Sequence, residues 1–315
     1  MRKLILFTIW AGYLPLSLAK TEYHDVDQTL WQNAVKTVQL ELKKKQKKRP
    51  YKGHIQDAQI DALTSSQVAF QKVALKFKLM NHIMGAPKGD ILKSYVNDVS
   101  QKRIKDFLQK HQAAFLASEK KHKVDATGIA GVLYIETAYN ASYIQYYPAL
   151  GSLLTLAALV DEKYRKTVID QTMQLSKAYS PVKKWQERNA WEERAEKIGQ
   201  QWLDELAALL FLANQLSWNQ QFVYQIKGSW AGAIGYSQFM PATAMQYVKS
   251  KNFDFWSWPD SIEFTAKKLS KHHWHHDPRK ALLKYNKVSW YGDVIMSIHE
   301  KLNPWWKSLS AKPEH

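Results

Sequence analysis

Apolar residues recur at three- and four-residue spacing through most of this chain, the period of helices with one buried face. Leu30, Val35, Val38 and Leu42 mark one such face, and the run from Val68 to Met84 marks another. The segment APKGD at 86–90 interrupts the pattern, with Asp90 placed to cap the helix that follows. Residues 91–121 continue as one or two amphipathic helices. Residues 162–200 are charged and polar, broken by one proline, and predict surface helices. QWLDELAALLFLA at 201–213 is far more apolar and predicts a core helix. From Asn303 onward the pattern predicts a short, tryptophan-bearing tail, loosely held. Strand-like alternation with hairpin turns is nearly absent and no internal repeat is visible, so the fold class is all-α.

Three segments depart from plain amphipathic patterning. In VDATGIAGVLYIETAYN, 124–140, Asp125 or Thr127 fits the N-cap of a helix. Ile129, Val132, Leu133 and Glu136 then fall at i, i+3, i+4 and i+7, which puts a carboxyl on the buried stripe. A buried, unpaired carboxylate is costly, so this group either finds a partner or keeps its proton to higher pH, as a general acid needs. The helix alone leaves both readings open.

In GSWAGAIGYSQFMPATA, 228–244, three of the twelve glycines fall close together. Gly228, Gly232 and Gly235 permit tight turns and a close approach of backbone to a ligand. Ser229 and Gln238 supply neutral hydrogen-bonding groups, and Trp230, Tyr236 and Phe239 supply faces on which a sugar ring can pack. Pro241 fits the first position of a new helix. In KALLKYNKVSWYGDVIMSIHEKL, 280–302, the polar groups Tyr285, Asn286 and Tyr291 interrupt an otherwise apolar pattern.

Composition narrows the class. Hydrophobic residues make up 45% and aromatics 13%, which excludes global disorder. Residues 1–19, MRKLILFTIWAGYLPLSLA, read as a signal peptide: Arg2 and Lys3, an apolar run from Leu4 to Leu16, and small residues Ser17 and Ala19 before the cut. The run is shorter than the roughly 20 residues that span a bilayer, which argues against an anchor. With no cysteine, neither a lipid-bearing cysteine nor a disulfide is available. The expected location is the periplasm, as a soluble, exported, unlipidated protein.

The net charge of +17 favours polyanionic partners, and export places nucleic acid last among them. Peripheral contact with an anionic membrane or wall is the expectation. The basic run KKKQKKR, Lys43 to Arg49, reads as a solvated helix end or linker. His272 and His276 in KHHWHHDPRK stand four apart, a zinc-compatible spacing, but only Asp277 is near them and the stretch reads as a polar helix end. HEKLN at 299–303 lacks the second histidine of a zinc-protease helix. Neither a metal nor another cofactor is expected.

The helix ending in ET at 136–137, then KGSWAGAIGYSQFMPATA, then the YN pair at 285–286 resembles the lytic murein transglycosylase B family, from about Tyr95 to Asn303. The resemblance implies a lysozyme-like helical catalytic domain at 92–303, an N-terminal helical extension at 20–91 and a tail at 304–315. It implies that Glu136 is the catalytic acid and that Ser229 hydrogen-bonds it. Gln238, Tyr285, Asn286 and Tyr291 would line the sugar subsites, with Tyr236 as a further substrate-binding ring. The implied substrate is a peptidoglycan glycan strand, and the implied enzyme works as a monomer. It would cleave the MurNAc-β-1,4-GlcNAc bond to a 1,6-anhydroMurNAc product, with one glutamate acting as acid and then base.

This sequence departs from the family in three places. The spacing from Glu136 to Ser229 is long, with 162–200 as the insertion. The calcium loop after the FMP helix is missing, since YVKSKNFDFWSWPD has too few oxygen ligands. The segment before KYN is abbreviated. Two alternatives stand beside this reading. One is a hydrolytic muramidase, which needs a second carboxylate at about 5–9.5 Å, with Asp161, Asp254 and Asp260 open as that partner. The other is a non-catalytic wall-binding protein.

Overall fold

Two hydrophobic cores, each assembled from a different set of helices, organise the chain in a computed structural model that describes residues 26–48, 50–84, 91–140, 146–179 and 188–311. The leader at 1–19 and the APKGD break at 86–90 lie outside these residues.

The first core begins with helix α1 (Gln28–Gln46), whose N-terminus is capped by Asp27 accepting from Leu30 N at 3.0 Å. Its buried face carries Val35, Val38 and Leu42, as the spacing predicts, but Trp31 is buried in place of the expected Leu30, which packs at the edge. The basic run that follows is partly in α1 itself, where Lys43 pairs with Asp61 at 2.9 Å and Lys45 with Asp204 at 2.5 Å. Helices α2 (Asp57–Asp61) and α3 (Lys72–Met84) add Ile60, Leu75 and Leu79 to the same core.

The chain then crosses to the second core through α4 (Ile91–Tyr95), α5 (Asp98–Lys110), α6 (Gln112–His122) and α7 (Ala126–Thr137). It returns to the first by a two-residue strand β1 (Tyr147–Pro148), α8 (Ala149–Ala157), α9 (Glu162–Tyr179) and α10 (Arg188–Gln215). The chain changes core between α3 and α4. The helices before that point share a core with α8 and α10, so they form part of the body of the fold.

Helix α10 corrects the expectation of polar surface helices over 162–200 followed by a separate core helix. It is one helix of 28 residues that buries Trp191, Ala195, Ile198 and Trp202 in its polar first half and Leu203, Leu206 and Leu210 in its second. A single buried stripe runs the whole length, and charged residues on the other faces mask it in any window average.

Helix α11 (Gln220–Gln225) leads to strand β2 (Lys227–Gly228), which pairs antiparallel with β1 so that Tyr147 faces Gly228. Helix α12 (Pro241–Tyr247) begins with Pro241 at its first turn, as expected. Helices α13 (Trp258–Lys271), α14 (Pro278–Tyr285) and α15 (Ser289–Ser310) complete the second core. Helix α15 overturns the expected loose tail up to residue 310. Ile295, Ile298, Leu302 and Trp306 keep one helical stripe, and Trp306 is fully buried, its indole donating to Glu119 at 3.1 Å.

Candidate active site

The two cores meet at a cleft of about 540 Å³, a size suited to a bound oligosaccharide segment. One wall comes from the C-terminal end of α7. That end is locked from behind: Thr137 Oγ1 donates to Leu133 O at 2.7 Å and Tyr139 OH donates to Ala130 O at 2.7 Å. Tyr139 also stacks on Phe107, with ring centroids 3.7 Å apart. Ala138 terminates the helix in the left-handed region, at φ 46°. These contacts fix the direction in which Glu136, one residue before the helix end, projects.

Glu136 lines the cleft, half-buried, and its Oε1 accepts from Tyr291 OH at 2.7 Å. Burial pushes its carboxyl up to about 7, against the opposing pull of the Tyr291 hydrogen bond and the charge of Lys268. A group poised there can hold a proton near neutral pH and still release it during a reaction.

The facing wall is the glycine-rich segment. Gly232 and Gly235 adopt φ +90° and +71°, conformations that disfavour any side chain. A Cβ at Gly235 would also stand 2.5 Å from Phe255 O, so the loop can lie this close to its neighbours only without one. The loop is closed on itself by Ser229 N donating to Ala233 O at 3.0 Å and Ile234 N donating to Phe239 O at 3.0 Å. Helix α10 pins it from below, with Trp202 Nε1 donating to Ala231 O at 2.9 Å.

Of the residues singled out from sequence, Glu136, Ser229, Gln238, Tyr285, Asn286 and Tyr291 all line this cleft. Their hydrogen bonds differ from expectation. Ser229 Oγ accepts from the amides of Ala233 at 3.1 Å and Ala231 at 3.3 Å, because the tight loop needs an acceptor there, and Tyr291 bonds the acid in its place. Gln238, at φ 46°, donates through Nε2 to Gly235 O at 2.8 Å. Asn286 Oδ1 accepts from Val288 N at 3.3 Å. Tyr285 donates to Ser237 O at 3.0 Å and lies nearly parallel to Tyr291. Tyr236 stands apart from the others. The reversal at Gly235 sends its ring onto Trp258 of α13, stacked at 4.0 Å, away from the cleft lining.

None of the aspartates left open as a second carboxylate lines the cleft. Asp161 accepts from Thr37 Oγ1 at 2.7 Å and from Tyr164 N at 2.9 Å. Asp254 and Asp260 organise the turn into α13, accepting from Trp256 N and Asp254 N respectively. Among the lining residues Glu136 is the sole carboxyl. Among the described residues no group of three or more histidines, aspartates or glutamates is placed to hold a metal. The histidine-rich turn at 272–276 instead frames the buried Trp274, whose indole donates to Asp125 at 2.8 Å.

Several lining residues were missed from sequence, among them Lys78, Trp290 and Lys268. Lys268 is 9% exposed on the buried face of α13. It falls at i+7 from Ser261 and i+4 from Phe264, so the stripe argument that singled out Glu136 could have found it.

The family profile described as Transglycosylase SLT domain matches residues 41–289. No curated protein sequence matches. Soluble lytic transglycosylase SltB1 from Pseudomonas aeruginosa superposes with a TM-score of 0.59 at 16% identity, over 85% of this chain and 99% of that one. Escherichia coli lytic transglycosylase Slt35, in complex with bulgecin A, gives 0.61 at 14% identity, over 87% and 93%. SltB3 from Pseudomonas aeruginosa, in complex with NAG-anhNAM-pentapeptide, gives 0.56 at 15% identity, over 86% and 78%. At these identities the superpositions show a shared lysozyme-like fold. With the profile covering most of its length, the chain belongs to the transglycosylase SLT-domain family, whose members are lytic transglycosylases acting on peptidoglycan.

Proposed function

We propose that this enzyme cleaves the MurNAc-β-1,4-GlcNAc bond of peptidoglycan to a 1,6-anhydroMurNAc product, with Glu136 as acid and then base. The observation that carries this reading is a single carboxyl in the cleft, pushed up to about 7 and hydrogen-bonded by one phenol. Protonated Glu136 donates to the glycosidic oxygen as the bond to the muramyl C1 breaks. The resulting carboxylate stabilises the oxocarbenium-like centre and then removes the proton of the C6 hydroxyl, which closes on C1. The proton taken from that hydroxyl restores the acid, so no water is consumed.

Tyr291 keeps its hydrogen bond throughout and favours the carboxylate at the midpoint of the cycle. Gln238, Asn286 and Ser229 supply polar groups along the strand, and the rings of Tyr285 and Trp290 supply packing faces. SltB3, with the same fold, has been captured with NAG-anhNAM-pentapeptide, which agrees with a product of this class. The proposed setting is the periplasm, after removal of residues 1–19. No described helix is long and apolar enough to cross a membrane.

Digestion of purified sacculi followed by mass spectrometry tests the proposal. Products lighter by one water than hydrolysis products support it. Hydrated muropeptides would assign a muramidase, and no release at all would leave a wall-binding protein.

A further inference from the structure

The cleft holds more positive charge than its chemistry uses. Lys268 Nζ rests on the ring faces of Tyr285 and Phe239, 3.9 and 4.5 Å from their centroids. Lys78 Nζ rests on Trp202, 4.2 Å from the ring. Both lysines line the same cavity as Glu136. Neither enters an ion pair among the described residues. The one carboxylate whose charge is felt at Lys268 is Glu136, and the charge felt at Lys78 is a further cation, Arg194.

A ring face compensates only part of the hydration an ammonium loses on burial. Burial accordingly lowers both amines to about 8. Pairing with Glu136 is a poor account of Lys268, because the two form no ion pair and burial keeps that carboxyl protonated to near neutral pH. Lys78 has no carboxyl in the cleft beyond that same group. Two partly dehydrated cations facing a groove whose one carboxyl is already bonded by Tyr291 make a site awaiting an anion.

We propose that Lys268, with Lys78 as a second anchor, forms a carboxylate-binding subsite that reads acidic groups on the glycan strand. This rests on the peptidoglycan reading above and names what is recognised beyond the sugar backbone. Muramyl residues carry such groups in two forms: the lactyl carboxylate of peptide-free strands and the carboxylates of stem peptides. A charge-assisted contact to a dehydrated ammonium is worth enough to separate acidic from neutral strands by about tenfold or more.

Calorimetric titration of Glu136→Gln, in which turnover is blocked, reads this directly. The probes are a neutral chitotetraose and a GlcNAc–MurNAc tetrasaccharide with free lactyl carboxylates. The same tetrasaccharide with lactyl methyl amides, and a peptide-bearing form with amide-linked lactyl groups, complete the set. The free-acid oligomer is expected to bind about tenfold tighter than chitotetraose at low salt. Adding Lys268→Met should remove most of that preference while chitotetraose affinity stays within about twofold, and Lys268→Arg should restore it. Lys78→Met should act in the same direction, more weakly.

Preference retained by the peptide-bearing oligomer and lost by the methyl amide identifies peptide carboxylates as the group read. Preference confined to the free acid identifies the lactyl group. Equal loss of acidic and neutral binding in Lys268→Met, or discrimination that survives both lysine changes, overturns the subsite. Wild-type product analysis separates this from the parent reading: anhydro products with no acidic preference would sink the subsite alone. Acidic preference without anhydro products would sink the lytic reading alone.

Discussion

Two glutamates, one beside each core, have carboxyls that burial pushes up to about 7. Glu136 lies at the end of α7 in the second core, and Glu205 lies mid-way along α10 in the first. Their surroundings differ in kind. Glu205 Oε2 accepts from the Ala242 amide at 2.8 Å, which satisfies an otherwise orphan N–H in the first turn of α12. It does not line the cleft. Glu136 accepts from a side-chain phenol, feels a lysine and opens onto a groove walled by the glycine loop. A raised acid is therefore no mark of catalysis by itself. The mark is what else shares the wall, and only one of these acids has a place for a substrate oxygen beside it.

Exchanging each acid for its amide breaks the comparison most sharply. Glu136→Gln is expected to lower muropeptide release from sacculi by about 10³-fold or more, with glycan binding retained. Glu205→Gln, which still offers Ala242 an acceptor, should stay within about threefold of wild type. Chromatography of released muropeptides measures both. Loss of activity in Glu205→Gln alone would place the catalytic acid in the wrong core.

Tyr291→Phe is the next largest effect. The phenol donates to the charged form of Glu136 and so holds its carboxyl down, against burial. Removing it sends the carboxyl higher. Because the reaction starts from the protonated acid, activity falls as pH rises through the Glu136 titration. The alkaline limb of kcat/KM should thus move to higher pH in Tyr291→Phe, with a rate loss of about tenfold at the plateau. An unmoved limb would mean that Tyr291 serves only to pack the cleft.

Stability should respond to both acids with the same sign. A carboxyl whose folded value is raised above its unfolded value costs nothing at pH 4, where both states are protonated. As pH rises toward 7 the unfolded chain releases the proton first, so stability falls and then levels off. Glu205→Gln should therefore stabilise the protein at pH 8 relative to pH 4, by on the order of 2 kcal/mol. Glu136→Gln should do so by less, since its side chain is partly solvated. Denaturant unfolding at the two pH values checks this; an equal change at both would show that burial is not what holds these protons.

The helices and the acid were legible because both follow from one rule, the spacing of residues on a helix face. Leu30 to Leu42 and Ile129 to Glu136 needed nothing else. What could not be read was where helices with mixed faces go: the polar half of α10 hides Trp191 and Ile198, and α15 carries its stripe past Pro304 to Trp306. The site was legible as a list of residues and only partly as a geometry. Ser229, Gln238 and Tyr291 reach the cleft, but which of them bonds the acid depends on how α15 packs on α7 within the second core, 155 positions apart for Tyr291. Lys268 was visible on its stripe and was passed over among many lysines.

The smallest effect tests direction within the glycine loop, where Gln238 faces the cleft and Tyr236, two residues earlier, faces α13. Residues two apart in this loop can face opposite ways because the backbone takes left-handed φ both before Tyr236, at Gly235 (+71°), and at Gln238 itself (+46°). Tyr236→Leu removes the stacked pair with Trp258, worth roughly 0.5–1.5 kcal/mol. It should lower the melting temperature by a few degrees while kcat/KM on glycan oligomers stays within about twofold. Gln238→Ala should show the opposite pattern, a weaker enzyme with nearly unchanged melting. A Tyr236→Leu enzyme that melts normally but binds glycan poorly would return that ring to the sugar subsites and reverse the assignment of the loop's two faces.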